Sequence, residues 1–450
     1  MTGVKRTGMK ILRSLGRLLL LAGFVASSIG AAPRPVAPGL RVGAARIDIT
    51  PPADQLVAPF TSIADRLYVR AVAIESGGVQ AIVIIADVPT IGDSTLTQIV
   101  DKVAAQAKVP RAAILLGTSH THNAIRVDPV ATGIILPGSP RFVAQVTAAT
   151  LDAVRQAQAR LQPARVGLGN GRAHLVGNRN QWSATSGRYL TGVDRTGNEP
   201  IDERLGVMKF ETLGGKPIAL LLNYAIEPVI AMAMPSEISG DVPGAAARMI
   251  EARLGNDAVA LFTVGAAGTP LYRAEDAAPR TDLRARALSL MNAMGTILSE
   301  EALAVAADLP TSPTAIRIIA AARRLVCPGK VTTPFNLPNR CAYSPESILP
   351  ACVFKDRDAE PVGLNMGMIR IGDLMLMGTD ANVTPALGRK FAQAMPLSHS
   401  WIVAETYGPM RYVMDDAAYA QNTYEATATT AKKGCAEQGF LENSAVLAAQ

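Results

Sequence analysis

Residues 80–86 read QAIVIIA, six apolar residues in seven with no polar position alternating between them. A strand with one wet face alternates, whereas a short continuous apolar run fits a strand covered on both faces, as in sheets layered by helices. Working outward, 40–49 (LRVGAARIDI) and 67–74 (LYVRAVAI) alternate as half-buried strands. A helical pattern follows over 96–107, a strand over 112–116, and a long helix over 141–161 in which Phe142, Val146, Leu151 and Val154 fall near one face. Strands are expected again over 165–168, 206–211, 217–224 and 258–264, with helices over 243–254 and 282–306. A second strand set covers 315–321, 365–371 and 374–378, before a helix over 385–395. This grammar predicts an α/β fold, a mixed sheet layered by helices, in a single large domain over 33–450. The Pro-rich stretch 325–358 reads as an irregular surface insertion.

Ligand sites in such folds lie where strands end and loops begin. Four polar loops each follow an apolar strand: SHTHN at 119–123, NYAIEP at 223–228, GAAGTP at 265–270 and TDANVTP at 379–385. Only four histidines occur in the chain, yet His120 and His122 stand one residue apart. On an extended backbone residues i and i+2 share a face, so two imidazoles there can share a metal, or one can hold it while the other moves a proton. Hydrogen bonds within the loop are the alternative use of the pair. Glu227 sits in the apolar sequence NYAIEPVIAMAM, where a buried carboxylate is costly unless it is paired or bound to metal. Either a metal or an arginine partner satisfies it. Asp241, in SGD, is read as a cap on the helix that follows.

At 450 residues, with 49% hydrophobic content, the chain can bury a large core. Residues 1–32 carry five basic and no acidic side chains, a short apolar run over 18–26 and small residues around Ala31, which predicts a secretory leader cleaved near Ala31. Its removal takes five of the 44 Lys and Arg and none of the 37 Asp and Glu, so the formal charge falls from +7 to +2. A periplasmic or secreted protein is expected. No run of Lys and Arg interleaved with aromatics marks a nucleic-acid surface. The four cysteines, Cys327, Cys341, Cys352 and Cys435, predict two disulfides fastening the 325–358 insertion and the tail, and lack the CxxC spacing of a structural zinc site. GxSxG, HExxH and Walker patterns are absent, and GLGNGR at 167–172 lacks the GxGxxG spacing.

In order, GAARIDITPP (43–52), LYVRAVAIE (67–75) with a following strand ending in Asp87, TSHTHN (118–123), NYAIEP, SGDVPGAAARMIE (239–251), the GAAG turn and RYVMDDAAYAQNTYE (411–425) resemble the N-terminal catalytic domain of the neutral/alkaline non-lysosomal ceramidase family. The family comprises zinc-dependent amidases that cleave the N-acyl bond of ceramide, so the resemblance implies one zinc ion and a small-molecule lipid amide substrate met by peripheral contact with a membrane. It places zinc on His120, Glu227, Asn382 and Tyr412. It gives His122 a part at the reacting centre, Arg179 (in GNRN) and Tyr424 the task of orienting the amide, and Thr269 the place of the family's nucleophilic serine.

This chain departs from the family at three of those positions. Glu227 stands for a histidine and keeps a competent zinc donor, whereas Asn382 stands for a glutamate and offers only an amide oxygen. Thr269 takes the serine's place only with a two-residue deletion; threonine is a known nucleophile, but its methyl crowds the attack path. Asp380 is an alternative carboxylate ligand, and no stretch corresponds to the family's C-terminal immunoglobulin-like domain. Three functions stand open: a ceramidase-like amidohydrolase, a metal hydrolase of another amide or ester, and an exported binding protein that has lost the chemistry.

Overall fold

The computed structural model describes residues 39–128, 138–255, 257–276, 281–334, 341–342, 351–352, 354–404 and 408–450. The expected leader over 1–32 lies outside them.

The largest element is a nine-stranded sheet. It contains β1 (Arg41–Asp48), β2 (Tyr68–Ser76), β3 (Val79–Ala86), β4 (Ile114–Thr118), β5 (Gln162–Arg172), β6 (Val176–Gly177), β7 (Arg204–Thr212), β8 (Pro217–Ile226) and β9 (Val259–Pro270), in the spatial order β4-β3-β2-β1-β5-β7-β8-β9-β6. The run at 80–86 is an inner strand, antiparallel to β2 and parallel to β4. β8 and β9 form the second parallel pair. Both parallel pairs are joined through helices: α1 (Asp93–Ala107) links β3 to β4, and α3 (Asp241–Leu254) links β8 to β9. That is the connection a parallel pair requires.

Strand periodicity divides the side chains between two cores. On β2, Val69, Ala71 and Ala73 pack with α1 and α2 (Pro140–Ala159), while Val72 and Ile74 point to the opposite face. On β8, Leu220, Leu222 and Tyr224 pack toward α3 and α4 (Leu283–Asp308), whereas Ala219 and Leu221 face the other way. What covers that other face is a second sheet of β10 (Ile318–Pro334), β11 (Phe354–Ile371), β12 (Leu374–Thr379) and, after the two-residue β13 (Asn382–Val383), β14 (His399–Ala404), in the order β10-β11-β12-β14. Ile369, Ile371, Leu376, Trp401 and Val403 supply its half of the shared core. The outer face of the second sheet is closed by α5 (Pro385–Ala394) and, following the short β15 (Tyr412–Val413) and α6 (Tyr424–Ala428), by α7 (Ala436–Ala448). The α/β reading holds, with the mixed sheet sandwiched between helices and a second sheet.

The stretch 325–358 departs from the expectation of an irregular insertion. Much of it is strand: β10 and β11 form a long antiparallel ribbon from Ile318 opposite Ile371 to Pro334 opposite Phe354. Pro328, one of the prolines that argue for a loop, falls at the register shift between Cys327 and Gly329, since a bulge tolerates a residue without an amide hydrogen. Gly329 is required there, because a Cβ would lie 1.8 Å from the Glu360 carbonyl oxygen.

Cys327 is bonded to Cys435, which ties the ribbon to the C-terminal tail across 108 residues. The backbone sets Cys341 opposite Cys352 in a two-stranded ladder, while the side chains of these two lie outside the described residues. Thiol titration of denatured, unreduced protein is expected to find no free thiol; four reactive thiols would overturn the pairing. Closing a loop of this length is worth about 4–5 kcal/mol in the chain-entropy account, so Cys435→Ser is expected to lower stability by about 2–5 kcal/mol in denaturant titrations.

Candidate active site

β4 ends at Thr118, and the amide of the next residue, Ser119, donates to the Ala86 carbonyl at 2.9 Å. His120 then turns the chain with φ +57°, a left-handed conformation in which histidine is among the more tolerant residues. The turn is held from outside. Thr121 Oγ1 donates to the Ser239 carbonyl at 2.6 Å. Asn123 Nδ2 donates to the carbonyls of Met234 (2.9 Å) and Glu237 (3.0 Å). The SGD loop is thus part of the histidine scaffold. Asp241 is not the cap expected: Gly240 holds that place and Asp241 is the first residue of α3, its carboxylate accepting from Val242 N at 2.6 Å and from Ala231 N at 2.8 Å, with burial pushing its pKa up to about 7.

Both imidazoles are oriented by carbonyls. His120 Nδ1 lies 2.8 Å from the Pro89 oxygen and His122 Nδ1 lies 3.1 Å from the His120 oxygen. A carbonyl only accepts, so each Nδ1 carries a proton and each Nε2 is left facing the site. The two Nε2 atoms converge on Glu227 Oε1, at 3.5 and 3.7 Å. Glu227 follows β8, and its amide donates to the Gly268 carbonyl of β9 at 2.8 Å. Gly268 must be small, because a Cβ would stand 2.6 Å from the Gly177 carbonyl oxygen. That close approach seats β6 against β9, with Thr269 opposite Gly177. Arg179 follows two residues later.

Arg179 completes the cluster. Its Nη2 lies 3.3 Å from Glu227 Oε2, its Nη1 donates to the Tyr412 hydroxyl at 3.2 Å, and its guanidinium carbon sits 5.1 Å from the Tyr424 ring centroid. Tyr412 and Tyr424 meet edge to face with centroids 5.8 Å apart. Asn382 pairs with Tyr412 in a short parallel ladder, and its Nδ2 lies 3.3 Å from His120 Nε2. The arrangement sets the titration directions. Burial disfavours the charged form of His120, but the bond and charge of Glu227 outweigh it and raise its pKa. Burial and the neighbouring His120 push His122 down to about 4. Although burial works the other way, Arg179 and the histidines hold the Glu227 carboxyl well below the usual carboxylate range.

The structure thus brings together His120, His122, Glu227, Arg179, Asn382, Tyr412 and Tyr424. Asp380 stays apart, its two carboxylate oxygens accepting from Asn365 N at 3.0 Å and Asn365 Nδ2 at 2.6 Å. Thr269 is buried in β9. Among the described residues, no hydrogen bond joins its hydroxyl to the histidines, Glu227 or Arg179. Of the uses foreseen for Glu227 and the histidine pair, the structure shows the arginine partner of the carboxylate and carbonyl bonds to both imidazoles. Sequence reasoning missed Glu425, buried at 5% exposure with Oε1 3.5 Å from Arg179 Nη1 and Oε2 accepting from Asn180 Nδ2 at 2.8 Å. An acidic residue in the first turn of a helix reads as a dipole partner, which hides this use.

The donor atoms of His120, His122 and Glu227 lie within 4.8 Å of one another. Bonds of about 2.0–2.1 Å in a tetrahedral shell put neighbouring donors roughly 3.3 Å apart, so the 3.5 and 3.7 Å separations at Glu227 fit a metal ion with little movement.

Fold and cluster together define a hydrolase-type α/β domain with a His/His/Glu group able to hold a metal. The family described as neutral/alkaline non-lysosomal ceramidase, N-terminal, matches residues 41–280, more than half of the chain, and the chain belongs to that family. Neutral ceramidase from Pseudomonas aeruginosa has a similar fold, with a TM-score of 0.67 at 17% identity over 91% of this chain and 74% of that one. A ceramidase structure described as complexed with C2 gives a TM-score of 0.70 at 17% identity, covering 91% and 75%. No curated protein matches the sequence.

Proposed function

We propose that this protein is a zinc-dependent amidohydrolase that cleaves the N-acyl bond of ceramide-like lipids. The observation that carries the reading is the convergence of two imidazole Nε2 atoms on one oxygen of a buried carboxylate whose other oxygen faces Arg179. In this reading His120 and Glu227, with Tyr412 beside them, hold the ion, which when bound supplies Lewis acidity toward the amide carbonyl. His122, the more exposed imidazole, carries the proton between the attacking group and the leaving amine. Arg179 and Tyr424 orient the amide and stabilise charge that develops on its oxygen.

A second reading, a binding protein that has lost the chemistry, draws on Asn382. Its amide nitrogen stands 3.3 Å from His120 Nε2, where the family's glutamate would offer a carboxylate oxygen. Elemental analysis and hydrolysis of a short-chain fluorescent ceramide separate the two. About one zinc per chain with release of the fatty acid is expected. Absence of both would overturn the hydrolase reading. In that event a Glu227→His, Asn382→Glu double variant that gains amidase activity would identify a lapsed enzyme. Turnover of other N-acyl amides or esters, never of ceramide, would retain the hydrolase and reject its substrate.

A further inference from the structure

Arg179 is shared between two acids. Its Nη2 faces Glu227 Oε2 at 3.3 Å and its Nη1 faces Glu425 Oε1 at 3.5 Å. A guanidinium with a single carboxylate partner favours the bidentate fork, which occupies both oxygens. Here the fork is divided. Glu227 therefore gives Arg179 only Oε2 and keeps Oε1 turned to the two Nε2 atoms.

We propose that Glu425 is a positioning residue that holds Arg179 off the metal-facing oxygen of Glu227. The carboxylate of Glu425 is itself fixed, because its Oε2 accepts from Asn180 Nδ2 at 2.8 Å and Asn180 Oδ1 accepts from Tyr424 N at 3.4 Å. Asn180 follows Arg179 directly, so the arginine and its acid are clasped by the same pair of segments. Without Glu425, Arg179 and Glu227 form a matched pair that closes the donor oxygen. This role is particular to a chain with a carboxylate at 227, and it rests on the metal reading above.

The test is Glu425→Gln, which keeps the side-chain shape and the capacity to hydrogen-bond. Zinc affinity, measured by competition with a chromophoric chelator, is expected to fall about 10–100-fold, the range found when outer partners of metal ligands are removed. In an Arg179→Met background the same substitution is expected to leave zinc affinity unchanged, because no guanidinium remains to be diverted. An equal loss in both backgrounds would show that Glu425 acts only through its distant charge, and would overturn the proposal. So would unchanged affinity in the single variant. A crystal structure of metal-free Glu425→Gln supplies a readout independent of the ion: Arg179 is expected in a bidentate fork on Glu227, and an arginine that has not moved refutes the role. If the wild type binds no zinc, the metal reading fails on its own, and the variant structure still decides where Arg179 goes.

Discussion

His120→Ala is expected to lose stoichiometric zinc and, with it, hydrolysis of the lipid amide. The imidazole is held by the Pro89 carbonyl at 2.8 Å and presents its Nε2 3.5 Å from Glu227 Oε1. Deleting it leaves the carboxylate without one of the two imidazoles that converge on it. The backbone at this position is left-handed, so His120→Asn, a residue that also tolerates that conformation, separates loss of the ligand from damage to the turn. Both variants should lack metal while melting as the wild type does, within a few degrees. Asn382→Ala is expected to keep its zinc, because what its Nδ2 offers the His120 ring is a donor rather than a ligand. Equal zinc in wild type and in the two His120 variants would refute the ligand assignment.

His122→Ala is expected to lower kcat about 10²–10⁴-fold, the usual worth of general acid–base help, while the protein keeps its zinc. The ring is anchored at one nitrogen and open at the other, which suits a group that must exchange a proton. Thr269→Ala is expected to retain most of the activity, since no bond connects its hydroxyl to the proton-moving groups among the described residues. The comparison is informative in both directions. A Thr269→Ala variant that keeps zinc yet loses as much rate as His122→Ala would make the threonine hydroxyl the nucleophile. Loss of zinc from His122→Ala would make His122 a ligand.

Local pattern was enough for much of this molecule. The apolar run at 80–86 and the alternation of β1 and β2 placed three adjacent strands to within a residue or two, because each strand's burial is written in its own periodicity. The loops at strand ends carried His120, His122, Glu227 and Asn382, and these do meet. What local pattern could not express was the full extent of the second sheet: it found strands over 315–321, 365–371 and 374–378, but not the rest of the ribbon or β14. Its ribbon contains Pro328, Pro361 and many charged residues, and only the bulge at Cys327 and Gly329 makes such a sequence a ladder. Nor could it express partnership. That Arg179 would be divided between Glu227 and Glu425 depends on β6 docking on β9 and on α6 folding back beside Asn180. Neither contact has a counterpart in the spacing of residues along the chain.

The bond between Asn382 and His120 spans 262 residues. Contacts of such separation must overcome the entropy of closing the intervening loop before they return any stabilisation, and they belong to the slow part of folding. A chain emerging from the ribosome therefore presents His120, His122, Arg179 and Glu227 well before Tyr412, Tyr424 and Glu425 exist to enclose them. The residues that enclose the group are the last of it to be made.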